Sequence, residues 1–266
     1  MPITKQEAAR QLQTREFLYV AYSHATKLPY VTCDEETFND QAWVFSTEEG
    51  IKEFGKEKLQ EKIVLLGMRF EKKDFNRLYA TLYAIDVNEV VWVDGDEKVG
   101  VELTSVARQA DFSKLEPSKR PLFNPGLQLC GIYFMQEVRK ALPPEERPNM
   151  RQQEEELIMN LRKAMYLVPM EVSEEDPKKI SVPYLKNKNG DMMQPAFTDV
   201  MELDRFAKGK KLKAAKVDFT KLPGLLLEQS KAIAINPFGF NLVLTREQLE
   251  KIAAIPLGQE ETGNGN

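Results

Sequence analysis

The chain has 266 residues, of which 42% are hydrophobic and 9% aromatic, which is enough apolar material for one large domain or two ordinary ones. Its 41 acidic and 37 basic residues leave a net charge of -4, so there is no general attraction to nucleic acid or anionic membrane. This composition excludes disorder as the default, and no apolar run approaches the roughly 20 residues that span a bilayer. Residues 1–7 lack the apolar core of a signal peptide, which predicts a cytoplasmic protein.

The first predicted element is a helix over residues 4–14, because Thr4 and Glu7 have the spacing of a capping box. A second capping box, Ser46 with Glu49, predicts another helix start. Strands are predicted at residues 17–22, 29–30, 44–45 and 63–66, and as a hairpin around residue 95. A further helix has apolar residues at i, i+3, i+4, i+7 and i+8, namely Phe75, Leu78, Tyr79, Leu82 and Tyr83.

A proline-rich connector follows, with a helix predicted over residues 127–141 that ends at Pro143 and Pro144. The connector is too apolar for a free tether, and we expect it to dock on one of the domains.

The elements then repeat in the second half: a helix at 150–163, a strand at 165–170, a helix after Asp199 and a weak strand at 214–217. Asp199 and Glu202 have the spacing of a capping box. A final helix begins at Thr245, which is capped by Gln248. The last ten residues, 257–266, are predicted to be disordered.

Five segments recur in the same order in the two halves, with spacing that changes only in predicted loops. The matched pairs are residues 28–31 with 182–185, 42–47 with 194–199, Phe54 with Phe206, 75–78 with 219–222, and 90–95 with 232–237. The pattern predicts an α+β fold made of two tandem copies, each a mixed or antiparallel sheet with helices on one side, related by a pseudo-twofold axis. The predicted boundaries are 1–112 for the first domain, 113–148 for the connector, 149–256 for the second domain and 257–266 for the tail.

Residues 232–245 and 195–199 resemble the signature of the SseB (enhanced serine sensitivity) family. Residues 45–47 and 91–95 resemble the same domain more loosely, which makes the first copy degenerate. The resemblance implies a bacterial cytoplasmic protein with no established active site. The first copy departs from the family pattern at the turn between its last two strands. It has an acidic hairpin turn at residues 94–98, where the second copy has residues 236–240.

The candidate binding residues form that turn of the second copy: Asn236, Pro237, Phe238, Gly239 and Phe240. One interpretation is a tight turn whose aromatic residue folds back onto the core. The other is that Phe238 and Phe240 stand exposed as anchors for a protein partner, because aromatic side chains on a rigid turn lose little entropy on binding.

Other features favour structural interpretations. Cys33 and Cys130 lack metal-ligand spacing and are expected to be free thiols, and His24, the single histidine, has no nucleophile or orienting group near it in sequence. The lysine-rich residues 208–216 are expected to form a solvated strand edge, with a phosphate or acidic-partner site as the alternative. No catalytic, cofactor or metal-binding residues are predicted.

The sequence therefore favours a non-catalytic protein-interaction or regulatory module with an unidentified protein partner and an open oligomeric state. The alternative is a small-ligand binder or an enzyme that uses the inter-domain cleft. A structural role in secretion rests on the family name alone and ranks last.

Overall fold

The structure is a computed structural model that describes residues 3–147, 150–172, 180–210 and 212–256. The helices of the first half are α1 (Lys5–Thr14), α2 (Glu48–Gln60), α3 (Phe75–Ala84) and α4 (Leu103–Val106). Its strands are β1 (Phe17–Ser23), β2 (Val31–Cys33), β3 (Asp40–Phe45), β4 (Leu65–Glu71), β5 (Glu89–Asp94) and β6 (Glu97–Glu102).

The helices that follow are α5 (Pro125–Val138), α6 (Met150–Lys163), α7 (Val200–Ala207), α8 (Leu222–Leu225) and α9 (Arg246–Ala253). The strands are β7 (Met165–Val172), β8 (Ile180–Ser181), β9 (Leu185–Lys186), β10 (Met192–Ala196), β11 (Lys213–Asp218), β12 (Ala232–Ile235) and β13 (Leu242–Thr245). Turns of 3-10 helix lie at Lys72–Asp74, Pro117–Lys119, Pro144–Glu146 and Phe219–Lys221.

The first sheet has the strand order β4-β1-β3-β5-β6, with β2 also paired to β3. The β3–β5 pair is parallel and the other pairs are antiparallel, so the predicted mixed sheet and α+β class are confirmed. Helices cover both faces of this sheet, whereas one covered face was expected. Val90 and Trp92 pack with α1 and α3, while Val91 and Val93 pack with α2 on the other face. The unbroken apolar run in β5 reflects this burial on both sides.

The second half has two groups of strands, β13-β12-β10-β9 and β11-β7-β8. A bridge between Leu167 and Phe197 joins the groups through backbone hydrogen bonds of 2.8 and 3.0 Å. The resulting order, β11-β7-β10-β12-β13, has the same pairing senses as the first sheet, including a parallel β10–β12 pair. This shared topology supports a duplication, but the duplication and the pseudo-twofold axis stay predictions.

The connector helix α5 packs against both halves. Leu127, Cys130 and Met135 contribute to the core of the second half, whereas Ile132 belongs to the core of the first and Tyr133 packs against it. The expectation that it docks on one domain is therefore too narrow. The helix is apolar on opposite faces, and a helix with that pattern is buried on both sides.

The helix caps are confirmed at three of the four predicted starts, and one of them is Asp199, whose side chain accepts from the N–H groups of Met201 and Glu202. Thr4 with Glu7, and Thr245 with Gln248, form reciprocal capping boxes. The predicted cap at Ser46 is wrong, because Thr47 caps α2 by accepting a hydrogen bond from the Gly50 N–H at 3.1 Å.

Strand β4 also begins later than the predicted residue 63. Ile63 N donates to Lys58 O at 3.0 Å, which keeps residue 63 in the turn that ends α2. The predicted disordered tail, residues 257–266, lies outside the described residues. Within those residues, no helix combines the length and apolar character needed to cross a membrane.

Candidate binding site at the β12–β13 turn

Residues 236–241 connect β12 to β13, whereas the hairpin between β5 and β6 turns through Gly95 and Asp96 alone. Both ends of the longer turn have left-handed backbone, with φ of 48° at Asn236 and 50° at Asn241. Asparagine tolerates this region better than other residues with a Cβ. The Asn236 carbonyl accepts hydrogen bonds from Gly239 N at 2.9 Å and Asn241 N at 3.0 Å. The predicted turn is present, and its own backbone bonds hold it.

The Asn236 side chain fastens the turn to the end of β10. It is fully buried, and its Oδ1 accepts from Thr198 N at 3.0 Å while its Nδ2 donates to Thr198 Oγ1 at 2.7 Å. An asparagine amide supplies the acceptor and the donor that this position uses. In the first half a shorter version of this contact occurs, where Ser46 Oγ donates to Asp94 Oδ1 at 2.6 Å.

Asp199 is a fully buried carboxylate at the N-terminus of α7. Its Oδ1 accepts from the N–H groups of Met201 and Glu202 at 2.9 Å each. Its Oδ2 accepts from Gln128 Nε2 at 2.6 Å and from Thr198 Oγ1 at 2.9 Å. Four donors on one carboxylate, at the positive end of a helix, stabilise its charge and occupy its lone pairs. Asp199 therefore holds the strand end, the connector helix and α7 together.

Glu202 is the second buried carboxyl group, with a side chain only 3% exposed. It was predicted as the reciprocal capping partner of Asp199, but its side chain turns instead to Arg205, whose NH1 donates to Oε1 at 2.8 Å. Burial raises the pKa of Glu202 to about 7, against the opposing charge of Arg205. Within the described residues, Glu202 Oε2 and Gln128 Oε1 are both buried without a hydrogen-bond partner.

Two residues of the turn point inward. Gly239 packs on Glu202, and a Cβ added to this glycine would lie 2.7 Å from Glu202 Oε2. The Phe240 ring is fully buried and covers Gly131 of α5, where an added Cβ would lie 3.1 Å from the ring. Phe240 is therefore not an exposed anchor but folds back onto the core, as the first interpretation of the turn has it, because the missing side chain of Gly131 leaves the space that the ring fills.

Phe238 is the aromatic residue of the turn that faces solvent, with 36% of its surface exposed. Its ring centroid lies 6.0 Å from that of Phe206, and Lys208 Nζ lies 5.4 Å from the ring. Arg205 NH1 is 3.4 Å from the Phe238 carbonyl oxygen and donates to it. The exposed surface therefore combines an aromatic ring with two basic side chains. Pro237, between this ring and buried Asn236, is half-buried.

The turn lies where the two halves of the chain meet. Arg139, at the end of α5, donates through NH2 to Asn241 O at 2.8 Å and through NH1 to Ala25 O. Burial raises the pKa of Tyr22 in β1, and the charge of Arg205 opposes the rise, so α7 is close to the first sheet as well. Sequence reasoning missed Arg139, Arg205 and Gln128 at this site, because nothing in their spacing relates them to the turn.

The remaining sequence candidates are scattered. His24 is exposed, Cys33 is exposed and Cys130 is buried, with both thiols free. Burial raises the pKa of the Cys130 thiol to about 12. Lys213 and Lys216 lie on β11, an outer strand of its sheet, as the strand-edge interpretation predicts. No group of three or more potential metal ligands occurs within residues 3–147, 150–172, 180–210 and 212–256.

The model of the SseB protein N-terminal domain matches residues 139–251. Over these residues, the chain is similar to the SseB N-terminal domain family. The SseB domain thus contains α6 and α7, both groups of strands in the second half, and the turn with its buried carboxylates. That residues 1–112 form a second SseB-like domain stays a prediction.

Two solved structures are similar to the chain over most of its length. Tic22 from Anabaena, described as a protein-transport protein, is 9% identical, with 96% of this chain and 99% of that chain covered and a TM-score of 0.22. Tic22 from Plasmodium falciparum is 12% identical, with 94% and 95% covered and a TM-score of 0.22. Scores this low carry no argument about the present chain. No curated protein matches it.

Proposed function

We propose that this chain is a non-catalytic protein-interaction module that binds a partner protein through Phe238 of the SseB domain. The observation that carries the proposal is that Phe238 faces solvent on a turn whose neighbouring residues, Asn236, Gly239 and Phe240, are buried. A side chain held in place before binding loses little conformational entropy when a partner covers it. Buried aromatic anchors of this kind dominate the affinity of many interfaces.

The surroundings of Phe238 indicate the chemistry of the partner surface. Lys208 lies against one side of the ring, and Arg205 is one-third exposed beside the Phe238 carbonyl. An apolar pocket with a carboxylate at its rim would complement this arrangement. The overall negative charge of the chain favours a protein partner over nucleic acid or anionic lipid.

The proposal also places the protein in the cytoplasm of a bacterium. Cell fractionation tests this location.

The buried carboxylates support a binding role rather than catalysis. Asp199 is enclosed by its four donors, and Glu202 lies beneath Gly239 and is paired with Arg205. A general acid or base must reach the atom to which it transfers a proton. In this conformation neither carboxylate meets that requirement, so their contribution is to shape and hold the turn.

The test compares Phe238→Ala with Tyr184→Ala, which removes another exposed aromatic ring of the same domain, 53% exposed. Proteins captured by the wild type are purified, and their affinities for all three forms are measured by calorimetry. We expect Phe238→Ala to weaken binding at least about tenfold and Tyr184→Ala to change it by less than about twofold. Equal affinity for the wild type and Phe238→Ala would exclude the turn as the binding site.

A cavity of about 550 Å³ favours the second candidate function, a small-ligand site between the first half and the end of α5. Its lining includes His24, Lys27, Lys62, Tyr133 and Arg139. The two lysines have left-handed backbone, with φ of 59° and 62°, and strained residues of this kind concentrate at functional sites. Its basic lining suits an organic anion. Thermal-shift screening with aromatic carboxylates and phosphates, repeated on Lys62→Gln, tests this alternative.

A further inference from the structure

Strand β4 is an outer strand of the first sheet, and it pairs with β1 alone among the described strands. Two backbone hydrogen bonds, one just beyond each end of β4, show which of its residues bond to β1. Lys72 N donates to Glu16 O at 2.8 Å, and His24 N donates to Val64 O at 3.0 Å. Hydrogen-bonded pairs alternate along an antiparallel ladder, so the even-numbered residues of β4 bond to β1. The N–H and C=O groups that point outward therefore belong to Leu65, Gly67, Arg69 and Glu71.

A groove runs between this free edge and helix α2. Ile51, Gly55 and Leu59 are spaced four residues apart, which places them on one side of the helix, and all three line the groove. The groove has a volume of about 540 Å³. Two glycines leave the groove unfilled. The space beside Gly55 is empty, since an added Cβ would meet nothing within 4 Å, and Gly67 has no side chain to cover Ile51.

The edge carries exposed apolar side chains, and its two charged residues, Arg69 and Glu71, pair with each other at 3.1 Å. Val64, Leu66 and Met68 are each 40% or more exposed, and Leu59 at the end of α2 is 56% exposed. Proteins usually block free strand edges with charged residues, above all lysine. Strand β11 has the corresponding place in the second half and carries Lys213 and Lys216, whereas β4 contains no lysine. An edge left open in this way is a template for another strand.

The charges around the groove distinguish between possible occupants. Its lining includes Lys52, Lys56 and Arg69 but a single acidic residue, Glu48. Lys52 is paired with Glu48 and Arg69 with Glu71, so the groove has an excess of one positive charge, at Lys56. A second copy of this chain, docked edge to edge, would add the same excess, whereas a carboxylate of an acidic segment would be attracted to Lys56.

We propose that the β4–α2 groove binds an extended, acidic segment of a partner protein as an added β-strand. The segment pairs with the outward backbone groups of Leu65, Gly67, Arg69 and Glu71. Its alternate side chains are apolar and enter the groove beside Gly55, and an Asp or Glu faces Lys56. This mode of recognition takes its affinity from main-chain hydrogen bonds and its specificity from alternate side chains. The surface is separate from Phe238, so either site can fail without the other.

The experiment selects peptides from a phage-displayed random library on the intact protein and measures their binding by fluorescence anisotropy. The variant Gly55→Phe fills the groove, and Gly55→Ala is its matched control, because both replace the same half-buried helical glycine. We expect the selected peptides to alternate apolar residues, to contain Asp or Glu, and to bind Gly55→Phe at least about tenfold more weakly than Gly55→Ala.

Residue-resolved amide exchange with a selected peptide provides the second readout. We expect exchange to slow at Leu65, Gly67, Arg69 and Glu71, with little change at the even-numbered residues of β4, which are already bonded to β1. Equal binding to both Gly55 variants, or unchanged exchange at the four outward amides, would overturn the proposal. So would a concentration-dependent dimer of the free protein that Gly55→Phe abolishes, because it would identify a second copy as the occupant.

Discussion

Gly239 lies against the Glu202 carboxylate so closely that a Cβ on the glycine would be 2.7 Å from Oε2 and 3.0 Å from Cδ. The turn that displays Phe238 is thus built directly on a buried acid. The geometry of the turn and the protonation of Glu202 are therefore coupled.

Replacing Gly239 by alanine should destabilise the protein by about 1–3 kcal/mol, because the new methyl group overlaps the Glu202 carboxyl group and either the turn or α7 must shift. Urea denaturation measures the change. Gly224→Ala is the control, since a Cβ at Gly224 meets nothing within 4 Å. Equal stability of the two variants would show that the turn adapts freely.

Glu202 should make stability depend on pH. Its pKa is raised from 4.5 to about 7, so the folded protein holds this proton more tightly than the unfolded chain. The resulting stabilisation is complete below pH 4.5 and is lost as pH rises through 7, and it amounts to about 3 kcal/mol. Asp199 and Arg205 are the charged groups that act on Glu202.

Between pH 5 and 8 the wild type should lose stability relative to Glu202→Gln, which keeps the shape of the side chain but does not titrate. Parallel denaturation profiles of the two proteins would contradict the assignment.

Asn236 should be replaceable by glycine at lower cost than by alanine. Both substitutions remove the side-chain bonds to Thr198, which should cost about 2–4 kcal/mol. Alanine additionally carries a Cβ at a φ of 48°, a penalty of about 1 kcal/mol that glycine avoids. Thermal denaturation of the two variants gives the difference directly, and an alanine variant as stable as the glycine variant would mean that the turn has changed conformation.

The two cysteines should react at very different rates. Cys33 is exposed, whereas Cys130 is buried and has a pKa raised to about 12 by burial, so little of it is thiolate at neutral pH. Titration of the native protein with a disulfide reagent should modify one thiol quickly, and denaturant should expose the second. Rapid modification of both thiols in the native state would show that α5 opens from the core.

Several parts of the fold could be predicted because their cause is local. The caps at Thr4 and Thr245 depend on residues three positions away, and the stripe of α3 depends on spacings of three and four. The error at Ser46 has the opposite origin. Its hydroxyl bonds to Asp94, 48 residues later, which leaves Thr47 to cap the helix.

The candidate site also has one part with a local cause, which could be predicted, and one part that depends on distant residues. Asparagine, proline and glycine predict a turn at residues 236–240, because each residue type restricts or frees its own backbone. Which of Phe238 and Phe240 faces solvent depends instead on Gly131, more than 100 residues earlier, whose missing side chain makes room for Phe240 alone.

The α+β class, the caps at Thr4, Asp199 and Thr245 and the position of the turn could be predicted, since backbone preferences and short-range hydrogen bonds act between residues close along the chain. Tertiary packing places helices on both faces of the first sheet, leaves Phe238 as the exposed ring and raises the pKa of Glu202 to about 7. Burial has this power because it depends on which distant residues surround a side chain, and no local pattern specifies those neighbours.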